Sequence, residues 1–112
     1  MDIKQRFQQD MRDAMRVQDR ERVNVLRMLL AAFEHAQEAM GKQAFDAFEP
    51  DGANIQPDRH QTLSKETIKD VIRSEMQSRW EAADVFRAGG ESKRAEGEET
   101  EITILEQYLK QM

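Results

Sequence analysis

The longest dense apolar run of the chain lies between residues 23 and 36 and reads VNVLRMLLAAFEHA. It constrains the fold because the chain is otherwise rich in charge, with 35% Asp, Glu, Lys and Arg. Leu26, Leu30 and Phe33 recur at the spacing of one helix face, and flanking apolar residues widen the stripe. A helix that is apolar around most of its circumference is typical of a central position. We therefore predict a helix here that contacts several neighbours.

Four segments carry an amphipathic helical pattern. The first covers residues 3–17 and the second residues 20–36, with a possible extension to 40 and Gly41 as its natural stop. The third begins with Ser64 as N-cap and ends at Gly89-Gly90, and the fourth covers residues 92–111. Gly97 weakens the first half of the fourth helix, so we expect that half to be frayed or held by neighbours.

Residues 41–62, GKQAFDAFEPDGANIQPDRHQT, interrupt the helical pattern. Pro50-Asp51-Gly52 is typical of a turn, and Pro57 opposes another helix. A long irregular loop is therefore predicted between the second and third helices. Two alternatives remain for Phe45 and Phe48, which either anchor a short helical turn on the bundle or belong to a mobile, partner-binding segment.

The predicted fold class is all-α, as a four-helix antiparallel bundle or as paired helical hairpins. The connection at Gln18-Asp19 is so short that the first two helices must be antiparallel neighbours. Matched helix lengths and 112 residues in total favour one domain, residues 1–112, with one modest core.

Composition excludes several functional classes. The chain has no cysteine, which excludes disulfides, a thiol nucleophile and Cys-ligated metals. No apolar run approaches the about 20 residues of a membrane span, and the first residues lack a signal-peptide pattern. We expect a cytoplasmic protein without a cofactor.

Charge is unevenly distributed. The net charge is -5, yet residues 1–30 carry seven Lys or Arg against five Asp or Glu. Two interpretations remain open for the basic end of the first two helices. Its arginines either contact the phosphates of a nucleic acid or form a solvated surface without a partner. The arginines concerned are Arg12, Arg16, Arg20 and Arg22.

Three charged residues, Arg27, Glu75 and Arg79, interrupt apolar faces. A charge near a core must be paired, because an unpaired buried charge costs several kcal/mol. One interpretation is an ion-pair network between the second and third helices, with Arg27 on Glu75 and Arg79 adjacent. The other is that the two arginines present their guanidinium groups to phosphate from a shared groove.

Catalytic and metal-binding motifs are absent from the sequence. His35 has alanines at the neighbouring helical positions, and His60 lies in the loop, so neither has ligand spacing. No Gly-rich phosphate loop or nucleophile elbow occurs. We expect no metal site and no autonomous catalysis.

Several motifs together resemble the GatB/YqeY-like family. The most specific is Leu26-Arg27-Met28-Leu29-Leu30, and the resemblance covers most of the chain outside residues 41–62. Further matching residues are Asp10-Met11, Ala14-Met15-Arg16, Asp19, Glu75, Arg79, Glu81, Phe86, Ala88-Gly89, Ala95-Glu96, Glu98-Glu99, Glu101-Ile102 and Leu105 to Leu109. Two positions depart from the family pattern, Trp80 for an arginine and Arg94 for an apolar residue.

The resemblance implies an N-terminal helical domain like the one in the tail of the B subunit of aspartyl/glutamyl-tRNA amidotransferase, which helps to hold tRNA. It further implies that the family's second, smaller helical domain is absent from this chain. The leading expectation is a non-catalytic adaptor for tRNA or an aminoacylation-linked partner. The alternatives are a protein–protein interaction or oligomerisation module, and an accessory subunit of a carbon–nitrogen ligase with glutamine as amido donor, an activity label that such families carry.

Overall fold

The computed structural model describes residues 2–46 and 63–112, and all regular secondary structure in those two ranges is helical. The helices are α1 (Ile3–Arg16), α2 (Arg20–Asp46), α3 (Lys65–Ala88) and α4 (Ser92–Lys110). The all-α prediction is confirmed. None of these helices is long and apolar enough to cross a membrane.

Side-chain caps begin three of the helices. Asp2 and Gln5 form a reciprocal capping box at α1, with 2.8 Å from the Gln5 amide to Asp2 Oδ1. Asp19 Oδ1 accepts from the Arg22 amide at 3.2 Å, and Ser64 Oγ accepts from the Thr67 amide at 3.1 Å. These bonds satisfy amides that have no partner within the helix, and Ser64 is the N-cap that the sequence predicted.

One tight turn joins the two helices of each hairpin, α1 with α2 and α3 with α4. Gln18 adopts a φ of 58° between α1 and α2, and the Asp19 amide donates back to the Ala14 carbonyl at 2.9 Å. Gly90 has a φ of 75° between α3 and α4, and the Glu91 amide donates to the Phe86 carbonyl at 2.8 Å. Glycine adopts this left-handed conformation without steric strain, which explains why α3 ends before Gly89-Gly90 as predicted.

Helix α2 is longer than the sequence predicted. It passes through Gly41 and continues to Asp46. A single glycine costs a helix only about 1 kcal/mol, and the residues that follow it are helix formers, so Gly41 does not end the helix. The remaining predictions for the loop, on residues 47–62 and on the Phe45 side chain, lie outside the described residues.

The two hairpins pack through one apolar core. Helix α1 lies along α2, α3 lies along α4, and α2 also contacts both α3 and α4. The Phe7 ring stacks on Phe33 at 5.3 Å between centroids and meets the Tyr108 ring edge-on at 4.8 Å. Helix α2 contacts the three other helices, as its predicted central position requires. The buried core residues are Phe7, Val25, Leu26, Leu29, Phe33, Ile68, Ile72, Ile104, Leu105 and Tyr108.

Two residues differ from the apolar pattern of the sequence. That pattern places Met15 on the core face of α1 and leaves Ile104 out of the apolar seam of α4, whereas Met15 is 55% exposed and Ile104 is buried. The first half of α4 is held by its neighbours, which is one of the two expectations, because the helix is continuous through Gly97 and its Ala95 is fully buried. Arg94 also lies over the Phe86 ring at 5.8 Å, which holds α4 against the end of α3.

Replacing Phe33 by alanine tests the core. The side chain is 2% exposed and stacks on Phe7, so its removal leaves a cavity between α1 and α2. We expect the free energy of unfolding to fall by about 3–5 kcal/mol, measured by urea denaturation. Met15→Ala is the matched control and should change it by only about 0.5 kcal/mol. Equal losses in both variants would contradict this core.

Candidate functional site

Arg79 is a buried charge at the junction of three helices. Its side chain, 5% exposed, comes from α3. Nη1 donates to Glu75 Oε2 at 3.0 Å and to the Glu75 carbonyl at 3.1 Å, while Nε donates to Glu101 Oε2 of α4 at 3.2 Å. Nη2 lies 3.3 Å from the thioether sulfur of Met28 on α2. One guanidinium group therefore connects α2, α3 and α4.

The two carboxylates around Arg79 are themselves largely shielded from water. The side chains of Glu75 and Glu101 are 20% and 16% exposed. Burial raises the pKa of Glu101 above its ordinary value of 4.5, and the nearby Arg79 opposes this rise. Because the folded state holds the Glu101 proton more tightly, this group favours folding at low pH and loses that contribution as the pH rises through its raised pKa.

Arg27 lies apart from this junction. Its side chain is exposed, and it does not form the predicted ion pair with Glu75, whose partner is Arg79. At about 100° per residue, position 27 faces away from the side of α2 that buries Leu26 and Leu29. The expected ion pair between Arg27 and Glu75 is therefore absent. Arg79 pairs with Glu75 and with Glu101, and the sequence did not identify Glu101 as an ion-pair partner.

A shallow depression of about 200 Å³ adjoins the Arg79 junction. Three of its polar side chains are bonded to one another, because Glu75 and Glu101 both accept bonds from Arg79. In the described part of the chain, no set of three or more His, Cys, Asp or Glu residues is placed to hold a metal ion. His35 is exposed on α2, and His60 lies outside the described residues. The junction is thus suited to fixing helix positions.

Four arginines are exposed in the second half of α1 and the first two turns of α2, and we call them the arginine corner: Arg12, Arg16, Arg20 and Arg27. Arg16 pairs with Asp13 on the surface. The other three form no ion pair with any residue in ranges 2–43 and 63–112, and Arg12 Nη2 donates to Gln9 Oε1 at 3.3 Å. Arg20 and Arg27 share one face of α2, because seven residues are two turns, or about 10.5 Å.

Arg22 has a different role from the arginine corner. Its Nε lies 3.4 Å from Asp19 Oδ2, and its Nη2 lies 3.4 Å from Gln107 Oε1 of α4. The side chain is half-buried between the hairpins. Of the six arginines that the sequence selected for phosphate contact, Arg22 and Arg79 are therefore engaged within the fold.

Tyr108 provides a second polar connection, between α4 and α1. It is 4% exposed, and its hydroxyl donates to Asp10 Oδ2 at 2.7 Å. Arg6 lies over the ring at 5.9 Å. Burial, and then the bond to Asp10, raises the pKa of Tyr108 to about 12 from 10.0. Sequence reasoning placed Tyr108 beside the seam but did not identify Asp10 as its partner, because that contact spans most of the chain.

Comparison with known proteins gives one match. Residues 4–112 match the family model described as YqeY-like protein. No curated protein and no solved structure matches the chain. The matched range contains the Arg79 junction, the Tyr108 connection and the arginine corner.

Replacing Arg79 by methionine tests the junction. The change leaves the shielded carboxylates of Glu75 and Glu101 without their cation, so we expect a loss of about 3–5 kcal/mol in urea unfolding. Arg27→Met is the matched control on the exposed face, with an expected change of about 0.5 kcal/mol. Adding Glu75→Gln and Glu101→Gln to Arg79→Met should restore part of the loss. Equal stability of both single variants would show that Arg79 is not buried as described.

Tyr108→Phe tests the second connection through its pH dependence. Because the pKa of Tyr108 is raised, its hydroxyl contributes fully to the free energy of unfolding below about pH 10. That contribution is lost as the pH approaches 12. The phenylalanine variant lacks the bond to Asp10 and should be less stable by about 1 kcal/mol at pH 8. That difference should shrink in urea titrations between pH 10 and 11.5. A constant difference would refute the assignment.

Proposed function

We propose, from the premise that the chain belongs to the YqeY-like protein family, that it is a non-catalytic helical adaptor that binds the phosphate backbone of tRNA. The observation that carries this proposal is the arginine corner. Arg12, Arg20 and Arg27 are exposed and have no carboxylate partner in ranges 2–43 and 63–112. Arg12 donates only to the neutral Gln9 amide, so all three guanidinium groups keep donors for phosphate oxygens.

The rest of the surface limits where a polyanion can bind. The chain carries a net charge of -5, so the phosphates of RNA are repelled by most of it. Contact is therefore local, and its affinity depends strongly on salt because bound counterions are released. The resemblance to the amidotransferase tail supports tRNA as the polyanion.

A second candidate function, protein–protein interaction, is supported by apolar exposure beside the same corner. Met15 is 55% exposed and Val17 is 75% exposed. Met15, Gln18, Arg20 and Val23 line an open depression at the α1–α2 turn. Exposed apolar residues next to arginines have the composition of an interface centre. Replacing Met15 and Val17 by serine separates the functions, since it affects a protein partner and leaves phosphate contact intact.

The test of the tRNA proposal is a titration of labelled tRNA at several salt concentrations. The triple variant Arg12→Gln, Arg20→Gln, Arg27→Gln should bind about 10-fold or more weakly at low salt, and the slope of log K against log salt should fall by about three. Its fold should be unchanged, because all three side chains are exposed.

A second triple variant controls for net charge. Lys42→Gln, Lys93→Gln, Lys110→Gln removes the same charge from exposed positions elsewhere. It should retain nearly all the affinity. Absence of wild-type binding at low salt would remove the proposal, and equal weakening by both triples would remove the arginine corner as the binding surface.

A further inference from the structure

Trp80 is exposed at an unusual place on α3. It is the sole tryptophan of the sequence, and 46% of its surface is exposed. The residue immediately before it, Arg79, is buried in the junction. An indole that follows a buried residue is directed about 100° around the helix, onto the flank of α3.

Cations accompany Trp80 on that flank. At about 100° per residue, five positions fall within a band about 60° wide along α3. We call this band the Trp80 stripe; its residues are Lys69, Arg73, Met76, Trp80 and Arg87. The acidic residues of the outer surface occupy the adjacent band, among them Glu66, Asp70, Glu81 and Asp84. Trp80 thus lies in the band that carries the cations, and the acidic band runs along its edge.

The cations of the stripe are held only by surface ion pairs. Lys69 Nζ lies 3.8 Å from Glu66 Oε1, and Arg73 Nη1 lies 3.2 Å from Asp70 Oδ1. Arg87 pairs with Glu99 of α4. Exposed pairs of this kind contribute little to stability, so a phosphate can replace the carboxylate at small cost.

The arrangement of the stripe fits a single-stranded nucleic acid. Met76 is its other apolar residue, and it is half-buried against the core. Val85, which is 70% exposed, lies about 140° further around the helix, so the indole is not part of a wider apolar area. An aromatic ring between cations binds single-stranded nucleic acid, because a base stacks on the ring while the cations contact the phosphates.

We infer that the Trp80 stripe binds unpaired nucleotides of RNA, with a base stacked on the indole and the adjacent phosphates on Arg73 and Arg87. The two arginines lie seven residues on either side of Trp80, about 10.5 Å along the helix. Stacking tolerates any base, because every base has a π face. This inference rests on the proposed function only in taking RNA as the partner. Its surface is separate from the arginine corner.

The experiment uses Trp80 as its own reporter. Since no other tryptophan is present, a base stacked on the indole should quench the fluorescence of the protein. We expect saturable quenching by a 12-nucleotide oligouridylate at low salt and none by a duplex RNA of equal length. Anisotropy of the labelled oligonucleotide should show binding about 10-fold weaker for Trp80→Leu and near wild type for Trp80→Phe, which retains a π face. Arg73→Gln with Arg87→Gln should lower the salt slope.

Control variants separate this inference from the tRNA proposal. Val85→Ala, on the same helix and outside the stripe, should bind as the wild type does. The arginine-corner triple should weaken tRNA binding yet keep the quenching by oligouridylate, so either surface can fail alone.

Three results would overturn the inference. They are binding without a fluorescence change, equal affinity of Trp80→Leu and wild type, and a concentration-dependent fluorescence change without RNA that accompanies dimer formation in sedimentation. The last result would assign Trp80 to an interface between copies of the chain.

Discussion

The bonds of Arg79 to Glu75 and Glu101 fix α3 against α4, and its approach to the Met28 sulfur brings α2 to the same point. A guanidinium group has its donors in one rigid plane, so bonds to α3 and α4 and the approach to the Met28 sulfur on α2 constrain the positions of three helices together. Apolar packing alone tolerates a helix that slides along its neighbour, because many apolar residues of similar size fit the core. A buried charge does not tolerate this, since a displaced helix would leave it unpaired.

The Tyr108 hydroxyl joins α4 to α1 through its hydrogen bond to Asp10. Tyr108 is part of the core, where its ring meets Phe7, which stacks on Phe33. Both connections use side chains that the fold shields from water. The groups left for a partner are therefore on the outer faces, at the arginine corner and along the Trp80 stripe.

Sequence reasoning succeeds where the cause is local and fails where the partner is distant. The burial of Leu26 and Phe33 follows from helical spacing, and the caps at Asp2 and Ser64 need only the next three residues. That Arg79 must be paired also follows from its place on an apolar face. Its partner Glu101 does not follow, because 22 residues and a turn separate them. The exposure of Arg27 was not predicted either. A shift of one residue turns a side chain about 100° around the helix, which is enough to move it from the core to the solvent.

The division of the arginines explains how an acidic protein can present a basic surface. Arg79 and Arg22 are engaged with carboxylates or amides of other elements, so their charge is compensated inside the fold. Arg12, Arg20 and Arg27 have no carboxylate partner in ranges 2–43 and 63–112, so their positive charge remains exposed. With screening over about 8–10 Å at moderate salt, the acidic remainder of the chain acts weakly there. It would repel a polyanion that extended further, so the contact that we propose would be restricted to a few phosphates.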